Sequence, residues 1–137
     1  MHINEYSFRV RYVETDQMGI VYHSNYYVWF EMGRTEFMRT LGYTYRELEN
    51  QDILLPILET HCVYKKPARY DDIITIKTTL SELKGLRIIF KYEAYNEKDQ
   101  LLAQGSTVQA SVNKDMQPIS LKKMFPDVYD KLINATL

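Results

Sequence analysis

A chain of 137 residues with 45% hydrophobic and 26% charged side chains has the size and composition of one folded globular domain, not of a disordered or repetitive segment. Its 17 basic and 18 acidic residues give a net charge of −1, which leaves no long-range field to recruit nucleic acid. Cys62 is the single cysteine, so an internal disulfide is excluded and a reducing compartment fits; charges break the N-terminal stretch before any membrane span or signal peptide could form, and the expected location is the cytoplasm.

In YSFRVRYVE, Tyr6, Phe8, Val10 and Tyr12 alternate with Ser7, Arg9 and Arg11, the period of a strand with one buried face that ends near Glu14. After a Gly-containing turn, Tyr26, Phe30, Gly33, Phe37 and Leu41 recur at helical spacing and predict a long helix with a buried stripe, widened by Trp29, Met32 and Met38. Gly33 costs about 1 kcal/mol inside a helix relative to Ala, and the return is close approach of a neighbouring backbone. Gly42 stops this helix. Thr44 and Glu47 then form the ends of a capping box that starts a short second helix.

From Ile53 the pattern turns to strands. ILLPILETHCVYKK reads as one interrupted strand, and DIITIKTTLSEL as the next, with Ile74, Ile76, Thr78 and Leu80 on one face. The Lys84–Gly85 turn leads into LRIIFKYEAYN, and EKDQ into LLAQGSTVQASVN, where Gly105 marks an expected bulge. Pro126 fits the first turn of a closing helix. Successive strands joined by tight turns are antiparallel, and one apolar helix needs one sheet to cover it. The expected architecture is therefore α+β, an antiparallel sheet of five to six strands wrapped around a long central helix, in one domain over residues 1–137.

The candidate chemistry lies in TDQMGIVYHSNYYVWFE. A helix that begins near His23 presents unpaired N–H groups and the positive end of its dipole, which can polarise a carbonyl and hold the developing oxyanion. Asp16, seven residues before His23, adds a carboxylate near that spot, and Tyr12 closes the preceding strand. Nucleophile-elbow, phosphate-loop and zinc-protease motifs are absent, and three scattered histidines with one cysteine argue against a metal site. Metal-free acyl chemistry and plain binding both remain open.

The run RVRYVETDQMGIVYHSNYYVWFEMGRTEF resembles the opening signature of the 4-hydroxybenzoyl-CoA thioesterase-like branch of the hotdog-fold superfamily, close to its YbgC-type acyl-CoA thioesterases. Tyr12, Asp16, Gly19, Tyr22, His23, Tyr26 and the pair Phe30–Glu31 fall on that signature, and YKKPARYDDIITIKT is similar to a later strand–Pro–turn–strand segment. The resemblance implies the hotdog fold and hydrolysis of an acyl-CoA to free acid and coenzyme A, with no cofactor beyond the substrate. It makes Asp16 the essential carboxylate, as nucleophile or general base, with the His23 backbone N–H at the oxyanion position. The His23 ring and Tyr12 hydroxyl support it, while Gly19, Tyr22, Asn25 and Tyr26 line the substrate and Asn25 ties the loop to the helix.

The same resemblance implies a homodimer joined edge to edge, with sites at the interface, and a homotetramer as a dimer of dimers. Coenzyme A phosphates require cations; Lys84 and Arg87 are the first candidates, followed by Lys65, Lys66 and Lys122. Three rivals stay in view: Glu31 as the carboxylate of a related branch, a non-catalytic hotdog module that binds acyl-CoA or an acyl carrier, and a hydratase. The last lacks its Asp-x-x-x-x-His spacing.

Overall fold

Alternation of apolar and polar side chains governs the second half of the chain, and the backbone follows it. The computed structural model describes residues 1–136 and contains β1 (Ile3–Arg9), α1 (Asn25–Thr40), α2 (Tyr45–Asn50), β2 (Ile57–Tyr64), β3 (Ile73–Lys84), β4 (Arg87–Tyr95), β5 (Leu101–Ala110), α3 (Leu121–Met124) and α4 (Pro126–Ala135). The five strands form one sheet in the order β1-β3-β4-β5-β2, each neighbour antiparallel. Ile74, Ile76, Thr78 and Leu80 are buried on its inner face, as their period-two spacing demands.

α1 crosses that inner face over β1, β3 and β4. Trp29, Phe30, Phe37 and Met38 are shut away from water, each contributing about 1.5–3 kcal/mol by leaving it. The closest approach is at Gly33, where a Cβ would stand 2.5 Å from Thr78 Oγ1 and 2.8 Å from Ile76 Cγ2. The missing side chain thus sets the helix-to-sheet distance. α1 ends in a Schellman arrangement: Tyr43 N donates to Met38 O at 3.1 Å, Gly42 N to Arg39 O at 2.9 Å, and Gly42 takes φ +96°.

Two expectations are corrected. Gly105 is no bulge, since it sits in regular register opposite Cys62 and Tyr92; its bare Cα instead admits the Phe30 ring, whose Cε2 would lie 2.5 Å from a Cβ there. The register shifts fall in β2, β3 and β4, between Ile57/Glu59, Leu80/Glu82 and Ala94/Tyr95. β1 also stops at Arg9 rather than near Glu14, because Tyr12–Glu14 wind into a single 3-10 turn and leave Tyr12 78% exposed.

Local hydrogen bonds make that turn. Glu14 is buried, and its carboxylate accepts from Arg11 N at 2.8 Å and from the Trp29 indole Nε1 at 2.8 Å. Its backbone carbonyl accepts from Tyr22 N at 2.9 Å and from Asn25 Nδ2 at 2.9 Å. Glu14 therefore fastens both ends of the loop 15–24 to the start of α1.

Glycine-to-alanine exchange tests the helix contact: Gly33→Ala gains about 1 kcal/mol of helix propensity but overpacks the core at a cost of about 1–3 kcal/mol, so its urea midpoint falls. Gly105→Ala, which meets both Phe30 and the His61 carbonyl, falls further. Glu14→Ala strands the Trp29 N–H without an acceptor, and chemical denaturation should register a loss of about 1–3 kcal/mol.

Candidate active site

The loop between β1 and α1 is a chain of short turns. Asp16 N donates to Ile20 O and Gly19 N to Asp16 O, at 2.9 and 3.0 Å, and Gly19 adopts φ +79°, a backbone state that a Cβ disfavours. Asp16 Oδ1 accepts from Met18 N at 2.8 Å; this fixes the carboxyl group and leaves Oδ2 with no partner among the described residues. The Asx-type turn is the reason an Asp, a short acceptor, occupies this place.

α1 begins at Asn25 rather than at His23, because its first amides close onto the preceding turn. Asn25 N donates to Tyr22 O, Tyr26 N to His23 O and Tyr27 N to Ser24 O, at 3.0 to 3.2 Å. Among the described residues, the N–H groups of His23 and Ser24 have no such partner. The helix dipole adds positive potential at this end.

Asp16 and His23 open onto one cleft of about 360 Å³. Tyr26 and Tyr64 form its aromatic wall, Met18, Val21 and Pro67 its apolar parts, and Lys65 and Lys66 its cations. The Tyr64 hydroxyl donates to His23 O at 3.1 Å, and its ring lies edge-on to His23 and to Tyr26, with centroids 6.2 and 5.1 Å away. Burial pushes the Tyr26 hydroxyl up to about 12 and raises Tyr64 and the Cys62 thiol behind it. These three groups therefore stay protonated at neutral pH.

Of the residues singled out from sequence, the fold brings Asp16, His23, Tyr26 and Lys66 together, with Lys65 beside them. Gly19 and Asn25 serve the loop. Tyr22 stands exposed with its ring 4.5 Å from His23, and Tyr12 points away to pack on Tyr70 at 5.7 Å. Glu31 is on the exposed side of α1 and does not line the cleft. Lys122 lies over the Tyr129 ring. Within this chain Lys84 and Arg87 are remote: β3 runs 12 residues at about 3.3 Å each from the cleft end to their turn, and Arg87 is paired with Glu59 at 2.8 Å. Tyr64 and Glu14 were missed. Tyr64 heads the quoted segment YKKPARYDD, the one sequence signal that pointed to it.

Known proteins resemble this chain over nearly its whole length. YneP of Bacillus subtilis is 38% identical over 128 residues, 93% of either chain, and the acyl-CoA thioesterase YbgC of Haemophilus influenzae is 33% identical over 135 residues, 96% of this chain and 93% of that one. The structure of a DHNA-CoA thioesterase from Staphylococcus aureus superimposes with a TM-score of 0.93 at 36% identity, covering 98% of this chain and 91% of that one. Residues 10–132 match the model of the thioesterase-like superfamily, and the chain belongs to that family.

Proposed function

We propose that this protein is an acyl-CoA thioesterase in which Asp16 and the amide end of α1 act on the two sides of one thioester carbonyl. The observation that carries the reading is that one cleft is lined by both Asp16, whose Oδ2 has no partner among the described residues, and His23, whose N–H has none among them either. The carbonyl oxygen rests on that N–H, which strengthens as negative charge develops there. Asp16 Oδ2 then either takes a proton from water as the C–O bond forms or attacks the carbonyl carbon itself. In both routes the C–S bond breaks and coenzyme A leaves as its thiol; water forms the free acid directly in the first route and by hydrolysing the acyl–Asp16 anhydride in the second, and no resident cofactor enters.

Acyl-CoA thioesterase is also what the relative from Haemophilus influenzae is named, and the Staphylococcus aureus structure is of a DHNA-CoA thioesterase. The aromatic wall of Tyr26 and Tyr64 suits a flat or branched acyl group. Lys65 and Lys66, at the same opening, supply charge for the coenzyme A phosphates.

Thiol release from a panel of acyl-CoA thioesters tests the assignment. Asp16→Asn should lower kcat by about 100-fold or more with the fold intact by circular dichroism, while Glu31→Gln should hydrolyse at close to the parent rate. Acyl-CoA that binds but is never cleaved would make the cleft a binding module instead. Single turnover in ¹⁸O-labelled water tests for the covalent route, since hydrolysis of an acyl–Asp16 anhydride at the Asp16 carbon releases unlabelled acid and leaves ¹⁸O in the Asp16 carboxylate.

A further inference from the structure

Tyr64 reaches the start of α1 from a distant part of the chain. It ends β2, an edge strand that pairs only with β5, and its hydroxyl donates to His23 O at 3.1 Å across 41 residues of sequence. The backbone around this phenol is held on two sides. Lys65 N and Lys66 N both donate to Leu102 O, at 2.8 and 3.1 Å, which fastens the residues after Tyr64 to β5. Val21 N donates to Ala68 O at 2.8 Å and ties the same segment to the Asp16 loop. The ring itself leans edge-on against Tyr26, which is 3% exposed.

The accepting carbonyl belongs to the peptide that carries the Ser24 N–H. A planar trans peptide points its C=O and N–H in opposite directions, so a bond that holds His23 O also aims Ser24 N–H. Tyr26 N donates to the same oxygen at 3.2 Å, but that bond belongs to the opening turn, where helices fray first. Among the described residues, Tyr64 gives this carbonyl its sole anchor outside the turn.

The amide on the other side of that peptide is available. Ser24 has helical backbone angles, φ −64° and ψ −23°, and its N–H has no partner among the described residues, like that of His23 before it. Tyr22 O, His23 O and Ser24 O already accept the bonds of the opening turn, so these two N–H groups are among the donors that a helix start leaves over. His23 lines the cleft, and Ser24 N–H is one peptide further on. A hydrogen bond received by a carbonyl also polarises its peptide and strengthens the attached N–H by about 10–30%.

We propose that Tyr64 is a positioning residue for thioester hydrolysis: by holding His23 O, its hydroxyl aims the Ser24 N–H at the thioester oxygen, as a second donor beside the His23 N–H. The inference rests on the thioesterase reading and adds to it a residue from the sheet. Two fixed donors stabilise the charge that develops on that oxygen better than one, provided neither has to reorient as the charge appears. The two parts of Tyr64 thus act separately. Its ring walls the cleft, and its hydroxyl works through a peptide on the reacting oxygen.

Thiol release by the full chain carrying Tyr64→Phe tests this, since the ring stays and only the hydroxyl is lost. With the fold intact by circular dichroism, kcat should fall about 10-fold for every acyl-CoA that the parent hydrolyses, and KM should stay within about 2-fold. The Ser24 amide resonance in a ¹⁵N–¹H spectrum should move as well. Tyr70→Phe removes an exposed phenol hydroxyl outside the cleft that bonds to nothing among the described residues, and it should match the parent in each respect. Parent kcat in Tyr64→Phe, a loss confined to some acyl groups, a change in KM alone, or an unmoved Ser24 resonance would each overturn the proposal and leave the thioesterase reading in place. A parent chain inert toward every thioester would end both.

Discussion

The approach of α1 to β3 is the constraint from which the rest of the structure follows. A helix that carries a side chain at position 33 could not settle where this one does, for Thr78 and Ile76 already occupy the space. Once seated, α1 fixes three things together: the depth of the aromatic core, the place where its first amides emerge, and the width of sheet left uncovered on the β2 side. Phe30 uses the second bare position, Gly105, to extend the same contact. Packing at two glycines thus decides where chemistry can occur.

The loop that brings Asp16 to that place is held by polar bonds rather than by packing. Glu14 is the centre of this scaffold, since its carboxylate reaches Trp29 inside the core while its carbonyl binds both Tyr22 and Asn25. A carboxylate so buried is stable only when its oxygens are satisfied, and here each has a donor. Met18, exposed on the same loop, adds its amide to Asp16. The Asp16 carboxyl group is thereby oriented by the loop itself, the preorganisation that the proposed catalysis requires.

Much of this was legible in the residue order. The period of Tyr26, Phe30, Gly33 and Phe37 gave the helix and its buried face, the alternation from Ile74 to Leu80 gave the strand beneath it, and the Asp16–His23 grouping gave the cleft. Other features were not, for physical reasons. Tyr12 continues the period of β1 in sequence, but the Arg11–Glu14 hydrogen bond turns the chain before it can pair. Gly105 looks like a bulge because a glycine in a strand signals lost register or close contact alike, and only the position of Phe30 distinguishes them. Lys84 and Arg87 were sensible anion ligands by type, yet a strand of this length separates them from Asp16 within one chain. Glu14 looked like the end of a strand, since burial of a single acid depends on a tryptophan 15 residues later.

The hydrogen bond from Tyr64 to the His23 carbonyl has a wider consequence. It joins the edge strand β2 to the His23–Ser24 peptide, which carries one of the two unpartnered amides. A displacement of that strand would shift the backbone at the start of α1, where the proposed substrate carbonyl rests, and linkage makes such a relation mutual. Ligand occupancy at one end and tension along the edge at the other are two readings of the same equilibrium.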